Sequence, residues 1–373
     1  MTSADQRGAI GFAERILELL DEGRFTATYK YAVLLALIEV CLERTEASGI
    51  PPDVVTTRQL ADKIVEIYWP HTLPFARRAE SGVLKQNITG QAEIISAITQ
   101  FRARHAPDAS APRWQARISS PSAYETLVRR VEWKLIEMPL PRLQLMGKVQ
   151  TEFIYGIAWD QGIAQRDVAR YQAGAASTFD NRLLLRTGVG EYLLQLNGLL
   201  RPLIQRRWSA MVAQLNRLEE SQLEEFLFGA NRIQTARIRI GLWEIQSRRC
   251  FYCSGAIREP AQGEVDHFIP WSRYPNDGLD NLVVADRRCN GWKSSSLAAS
   301  EHVAQWSRRL KKQTTEYGQL RDLAEQSEWD RHADRSLSVA RAIYLRLPTD
   351  AKLWSRGQEF IAPDPVILGT ALG

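Results

Sequence analysis

Four short pieces, taken in order, decide what the second half of this sequence folds into: Cys250-Phe-Tyr-Cys253, then Glu264-Val-Asp266-His267-Phe-Ile-Pro270, then Asp280-Asn281-Leu-Val-Val, then Asp286-Arg-Arg-Cys289-Asn290-Gly-Trp-Lys293. The piece from Gly263 to Ile269 has strand character, and Asn281 to Ala285 reads as a second short strand. Asp286 is a good N-cap for a helix that follows at once. The expected local unit is therefore β-β-α. Each fragment alone is weak, since one CxxC supplies only half the ligands of a tetrahedral zinc site and an Asp-His pair is common. Their order makes the signal.

Through Asp266-His267, the middle Asn281 and the Cys289-Asn290-x-x-Lys293 run, the stretch resembles the HNH branch of the ββα-metal nucleases. The resemblance covers Cys250 to Lys293 of a 373-residue chain. It implies that His267 is the general base, because an imidazole titrates close to neutrality. It implies that Asp266 and Asn290 hold a hard divalent cation, Mg²⁺ or Mn²⁺. Asn281 would fix the loop between the strands and so orient His267. Adjacent strand residues point to opposite sides, so Asp266 and His267 share one site only if the strand bends or bulges. Lys293 falls three residues after Asn290 on the same helical face, and with Arg287 and Arg288 it is a candidate phosphate contact. It reads equally well as an ordinary exposed lysine.

Three of the four cysteines, Cys250, Cys253 and Cys289, fall in this one stretch, which favours a metal over disulfides in a chain read as cytoplasmic. Many HNH domains of this subtype carry a further cysteine where Asp286 stands. Asp286 either completes a structural Zn²⁺ site with Cys250, Cys253 and Cys289 or only caps the helix. In the second case the fourth position falls to His302, to water, or the site holds no zinc. Cys41, inside the apolar run Tyr31 to Leu42, reads as a core thiol.

Composition sets the frame. The apolar content of 45% is ample for packed cores, and the length suits two or three domains. No apolar run reaches the ~18 residues a membrane span needs, and no basic-then-apolar leader opens the sequence. A net charge of +5 and a pI near 9.0 suit a nucleic-acid partner without demanding one. Residues 201–250 hold nine arginines against five acids, just before the first CxxC. That excess either steers a polyanion or is a solvated helix face.

The expected fold is mainly α (α+β overall), with helical N-terminal and middle regions around a small ββα core and a helical C-terminal region. The divisions are 1–106 helical, 107–115 linker, 116–240 a middle region with a hairpin then helices, 241–300 the HNH unit and 301–373 helical. Residues 8–47 read as two antiparallel helices, and Thr56-Thr57 caps a helix from Arg58 to Tyr68 that Pro70 ends. That helix reads mainly as scaffold, with a DNA-reading role as the lesser alternative. Leu143 to Met146 and Phe153 to Trp159 look like the arms of a hairpin. The run Arg308-Arg309-Leu-Lys311-Lys312 reads as a solvated face or a phosphate contact.

The function expected is a metal-dependent endonuclease acting on DNA. By analogy with stand-alone HNH proteins, it would serve restriction or anti-phage defence, where a partner or signal restrains it. Cutting both strands calls for two subunits, which a homodimer would supply. The competing expectation is a zinc-stapled nucleic-acid-binding or assembly subunit that does not cleave.

Overall fold

The computed structural model describes residues 3–22, 26–75, 82–146, 149–220, 223–229 and 235–373. Helices dominate and the sheets are small, so the fold is mainly α with minor β. The chain divides into two compact units, one of Met1–Cys41 and Pro52–Asn231, the other of Leu42–Pro51 and Arg232–Gly373. Among the described residues no helix is long and apolar enough to cross a membrane.

The helix Tyr29–Glu43, whose residues through Cys41 belong to the first unit, is buried along almost its whole length, as its apolar sequence requires. Cys41 lies fully inside, and burial pushes its thiol up to about 12. The helix Thr57–Tyr68 begins with a reciprocal capping box between Thr56 and Gln59. None of its residues is exposed, and Lys63 is paired with Glu39 and Glu66. It is scaffold, since a helix that reads bases needs a free face. The helix Ser3–Glu22 packs chiefly on Val189–Gln195, with Phe12 5.6 Å from Tyr192, rather than forming a hairpin with Tyr29–Glu43.

The expected hairpin between 143–146 and 153–159 does not form. Leu145–Met146 pairs instead with Val149–Gln150. Tyr155–Ile157 pairs with Arg182–Leu185, which also pairs with Val54–Thr56 and so forms the centre of a three-stranded sheet. Leu143 has helical backbone angles, and the first arm meets the second through the Gln144 side chain, which bonds the backbone of Ile154 and Tyr155, rather than through a strand ladder.

In the second unit the strands Gly263–His267 and Leu282–Asp286 form an antiparallel hairpin in continuous register, with Asp266 opposite Val283 and His267 opposite Leu282. The helix Arg287–Lys293 follows directly, giving the expected β-β-α order. The hairpin rests on the helix Ala236–Ile245. Gln246, just past that helix, bonds both the N–H and the C=O of Val284. Beyond lie the helices Ser300–Arg308, Thr315–Ser327 and Ala333–Tyr344, the hairpin of Leu353–Arg356 with Glu359–Ile361, and a last helix Pro365–Leu372. Phe268 stacks on Trp306 at 4.7 Å and 7°, which ties the nuclease-like hairpin to the helix after it.

Arg309 corrects the reading of the basic run. It is buried, and its guanidinium donates to the carbonyls of Asp280 at 3.1 Å and Leu282 at 2.6 Å. The arginine-rich stretch 201–250 is no single basic face either, since Arg201 is buried against Glu39. Arg232 of that stretch lies outside the described residues.

Candidate nuclease site and metal centre

The metal centre is built by a tight turn. Ser254 adopts a left-handed conformation (φ +57°) and its N–H returns to the Cys250 carbonyl, so the chain reverses between the two thiols. The Gly255 N–H is directed at Cys253 Sγ, 3.4 Å away. Asp286 divides its two oxygens. Oδ1 accepts from the N–H groups of Arg288 and Cys289, both at 3.0 Å, and so caps the helix. Oδ2 faces Cys253 Sγ at 3.1 Å. The two roles weighed for Asp286 are thus compatible in one carboxylate.

The ligand atoms of Cys250, Cys253, Asp286 and Cys289 all lie within 4.8 Å of one another. Ligand atoms of a tetrahedral zinc stand roughly 3.3–3.8 Å apart, so a small contraction completes the fit. These four residues could hold a metal ion such as zinc. His302 stands elsewhere: its Nε2 is 2.8 Å from the Ser355 carbonyl and its ring lies along Trp354. Burial pushes the Cys250 thiol up to about 11. Cys289 is raised further, by burial and then by its bond to Asp286. Burial also raises the Asp286 carboxyl, but the Cys289 N–H and the surrounding thiols outweigh it and hold that group well below the usual carboxylate range.

The second cluster lies along the strand Gly263–His267. Asp266 is nearly buried, and its Oδ2 accepts from the Tyr252 hydroxyl at 2.5 Å and pairs with Lys293 Nζ at 2.9 Å. Oδ1 takes no part in those two contacts. Lys293 is fully buried and also donates to the His267 carbonyl at 2.8 Å, with Tyr252 5.8 Å away across its ring face. It therefore stands beneath Asp266 rather than out toward solvent. Glu264, two residues before Asp266, receives the Asn290 amide nitrogen at 2.7 Å and Arg287 Nε at 3.1 Å. Asn290 thus has its nitrogen engaged, and its oxygen occupies the other branch of the amide. Asp266 and Asn290 offer hard oxygen donors, which is the chemistry Mg²⁺ or Mn²⁺ requires. Arg287 and Arg288 are exposed.

His267 Nε2 lies 2.8 Å from Asp277 Oδ1, and its ring meets Trp271 at 5.3 Å. Asn281 is fully buried: its Oδ1 accepts from Ile269 N–H at 2.8 Å, and its Nδ2 donates to the carbonyls of Ile269 and Asn276. The Phe268 N–H closes on the Asn281 carbonyl at 2.7 Å. This side chain therefore stitches the start of the inter-strand loop to its end.

Sequence reading passed over Tyr252, Glu264 and Asp277. Tyr252 sits inside the CxxC and Glu264 alternates with Asp266, so strand periodicity alone brings Glu264 to the face of Asp266. Asp277 lies in Asn-Asp-Gly, which reads as a turn. No curated protein matches the chain. Residues 250–299 match the family model described as HNH endonuclease, so the segment that holds the cysteine group, the hairpin and its helix is similar to that family within a longer chain.

Proposed function

We propose that the chain is a metal-dependent endonuclease that hydrolyses phosphodiester bonds in DNA, with His267 as the general base. The observation that supports the reading is that His267, Asp266 and Asn290 all belong to one ββα unit inside the matched segment; the strand keeps continuous register, so bringing Asp266 and His267 to one phosphate requires the strand to bend there. Asp266 and Asn290 would hold Mg²⁺ or Mn²⁺, which when bound supplies charge stabilisation at the phosphate and at the leaving oxygen. His267 takes the proton from water. Asn281 keeps the loop beside His267 closed, and the exposed Arg287 and Arg288 neutralise backbone phosphates. Zn²⁺ on Cys250, Cys253, Asp286 and Cys289 would staple the domain at its other end. The same reading places the protein in the cytoplasm, in restriction or anti-phage defence, with a homodimer supplying the second active site for double-strand cutting.

A second reading has one observation in its favour. The Asp266 carboxylate already carries a buried ammonium and a phenol, so its charge is compensated without a divalent ion. That suits a zinc-stapled nucleic-acid-binding or assembly subunit. The test is incubation of the full chain with plasmid, phage and base-modified DNA, with Mg²⁺ or Mn²⁺ and without. Cleavage that disappears in His267→Ala, with the circular dichroism spectrum unchanged, supports the endonuclease. Activity that survives the substitution removes His267 as the base, and metal-independent binding with no product from any DNA favours the second reading.

A further inference from the structure

The loop of residues 276–282 is held on both sides of Asp277 by more contacts than a turn needs. Asn276 Oδ1 accepts from the Gly278 N–H at 2.8 Å, and the Asn276 carbonyl accepts from Asn281. The Asp277 carbonyl accepts from Trp329 Nε1 at 2.7 Å, and the Leu279 N–H donates to the Asp330 carbonyl at 2.9 Å. Asp280 receives Arg331 Nε at 2.9 Å on its carboxylate and Trp306 Nε1 at 2.9 Å on its carbonyl. The backbone around Asp277 is fixed from several directions, and its nearly buried carboxylate meets His267 Nε2.

An ionised carboxylate only accepts hydrogen bonds. The nitrogen facing it must therefore carry the proton, and a neutral imidazole then has its lone pair on the other nitrogen. We propose that Asp277 is the positioning residue for His267: it holds the ring as the Nε2–H tautomer and leaves Nδ1 as the atom that accepts the proton of the attacking water. This rests on the endonuclease reading of the site. In the step itself the water gives one proton to Nδ1 as its oxygen bonds to phosphorus, the bond from phosphorus to the leaving sugar oxygen breaks, and that oxygen takes a proton from solvent. Trp329, beyond the matched segment, holds the Asp277 backbone through its carbonyl, and Arg331 holds the carboxylate of Asp280 in the same loop.

The test is long-range ¹H–¹⁵N correlation on full-length protein labelled at its five histidines, with the His267 signals identified by their loss in His267→Ala. The wild type is expected to show Nε2–H and an unprotonated Nδ1 in the neutral ring. Asp277→Asn, which can donate to Nε2, is expected to move the proton to Nδ1. It should lower kcat by ~10²- to 10⁴-fold, the range seen when a general base loses its correct tautomer, with DNA affinity within about twofold. Asp277→Glu should recover part of kcat. Nδ1–H in the wild type overturns the proposal even if the variants do not fold, as does Asp277→Asn cutting at the wild-type rate. Nε2–H in a wild type that cuts no DNA overturns the endonuclease reading while leaving the hold of Asp277 on His267 in force.

Discussion

Replacing Lys293 by methionine keeps most of the side-chain volume and removes one charge from beneath Asp266. At 2.9 Å, and with an effective dielectric near 20, the Coulomb attraction between Nζ and Oδ2 is about 6 kcal/mol, much of it offset by the burial of both groups. Losing one partner of a buried pair costs about 3–5 kcal/mol, because the other charge stays buried alone. Here Asp266 keeps its bond from Tyr252 and a little solvent, so the loss belongs near the lower end, about 3 kcal/mol. The Nζ bond to the His267 carbonyl goes as well, so the strand Gly263–His267 should feel it first. Hydrogen exchange of the hairpin amides is the suitable assay, since a chain of two units need not unfold in one step. About 3 kcal/mol corresponds to roughly 100-fold faster exchange in Lys293→Met. The double variant with Asp266→Asn should lose at least about 1.5 kcal/mol less than the two single losses together. Unchanged exchange in Lys293→Met, or strict additivity with Asp266→Asn, would refute the buried pair.

The purified chain should carry one zinc by elemental analysis; Asp286→Cys should retain it, whereas Asp286→Ala should bind it more weakly and lose about 1 kcal/mol of helix cap as well, and full zinc occupancy in a Cys250→Ser, Cys253→Ser double variant would contradict the site. If Arg288 contacts backbone phosphate and Lys293 does not, Arg288→Ala should reduce the slope of log affinity against log salt by about 0.9 and Lys293→Met should leave it unchanged. In the first unit, burial pushes His71 down to about 4, and its neutral ring donates to the Leu227 carbonyl while accepting from Gln86. The unfolded chain therefore takes up this proton first, so stability from His71 is full above its ordinary pKa near 6.5 and falls away as pH drops toward 4. The total is about 3 kcal/mol, and His71→Gln should flatten denaturant midpoints across that window.

What the sequence made legible, and what it hid, follows the range of the interactions. The Thr56 cap, the Asp286 cap and the apolar run at Tyr31 are local, so short windows carry them. The strand Arg182–Leu185 was hidden because Leu184 is half exposed, which erases the alternation that marks a strand, and because both its partners lie more than twenty residues away. Lys293 and Arg309 misled for a different reason. Lysine and arginine are almost never fully buried unless paired, so a charge at helical spacing reads as surface until its carboxylate or carbonyl partner is located. For Lys293 that partner stands 27 positions earlier on a strand, and for Arg309 one carbonyl lies at the end of the inter-strand loop and the other on the first residue of the strand Leu282–Asp286.

The contacts that hold the hairpin extend past the residues of the family match. A two-stranded hairpin with one seven-residue helix buries too little apolar surface to order a long inter-strand loop. One end has a set of four metal-type ligands. The loop at the other end lies beyond their reach; its carbonyls at Asp277 and Asp280, and that of Leu282 where the second strand begins, are taken by Trp329, Trp306 and Arg309, all C-terminal to residue 299. Phe268, next to His267, stacks on Trp306, so His267, Asp277 and Asn281 all sit on backbone that the C-terminal helices grip. A motif of this kind can therefore specify its chemistry in a few residues, yet the position of its imidazole depends on side chains that no motif within residues 250–299 contains.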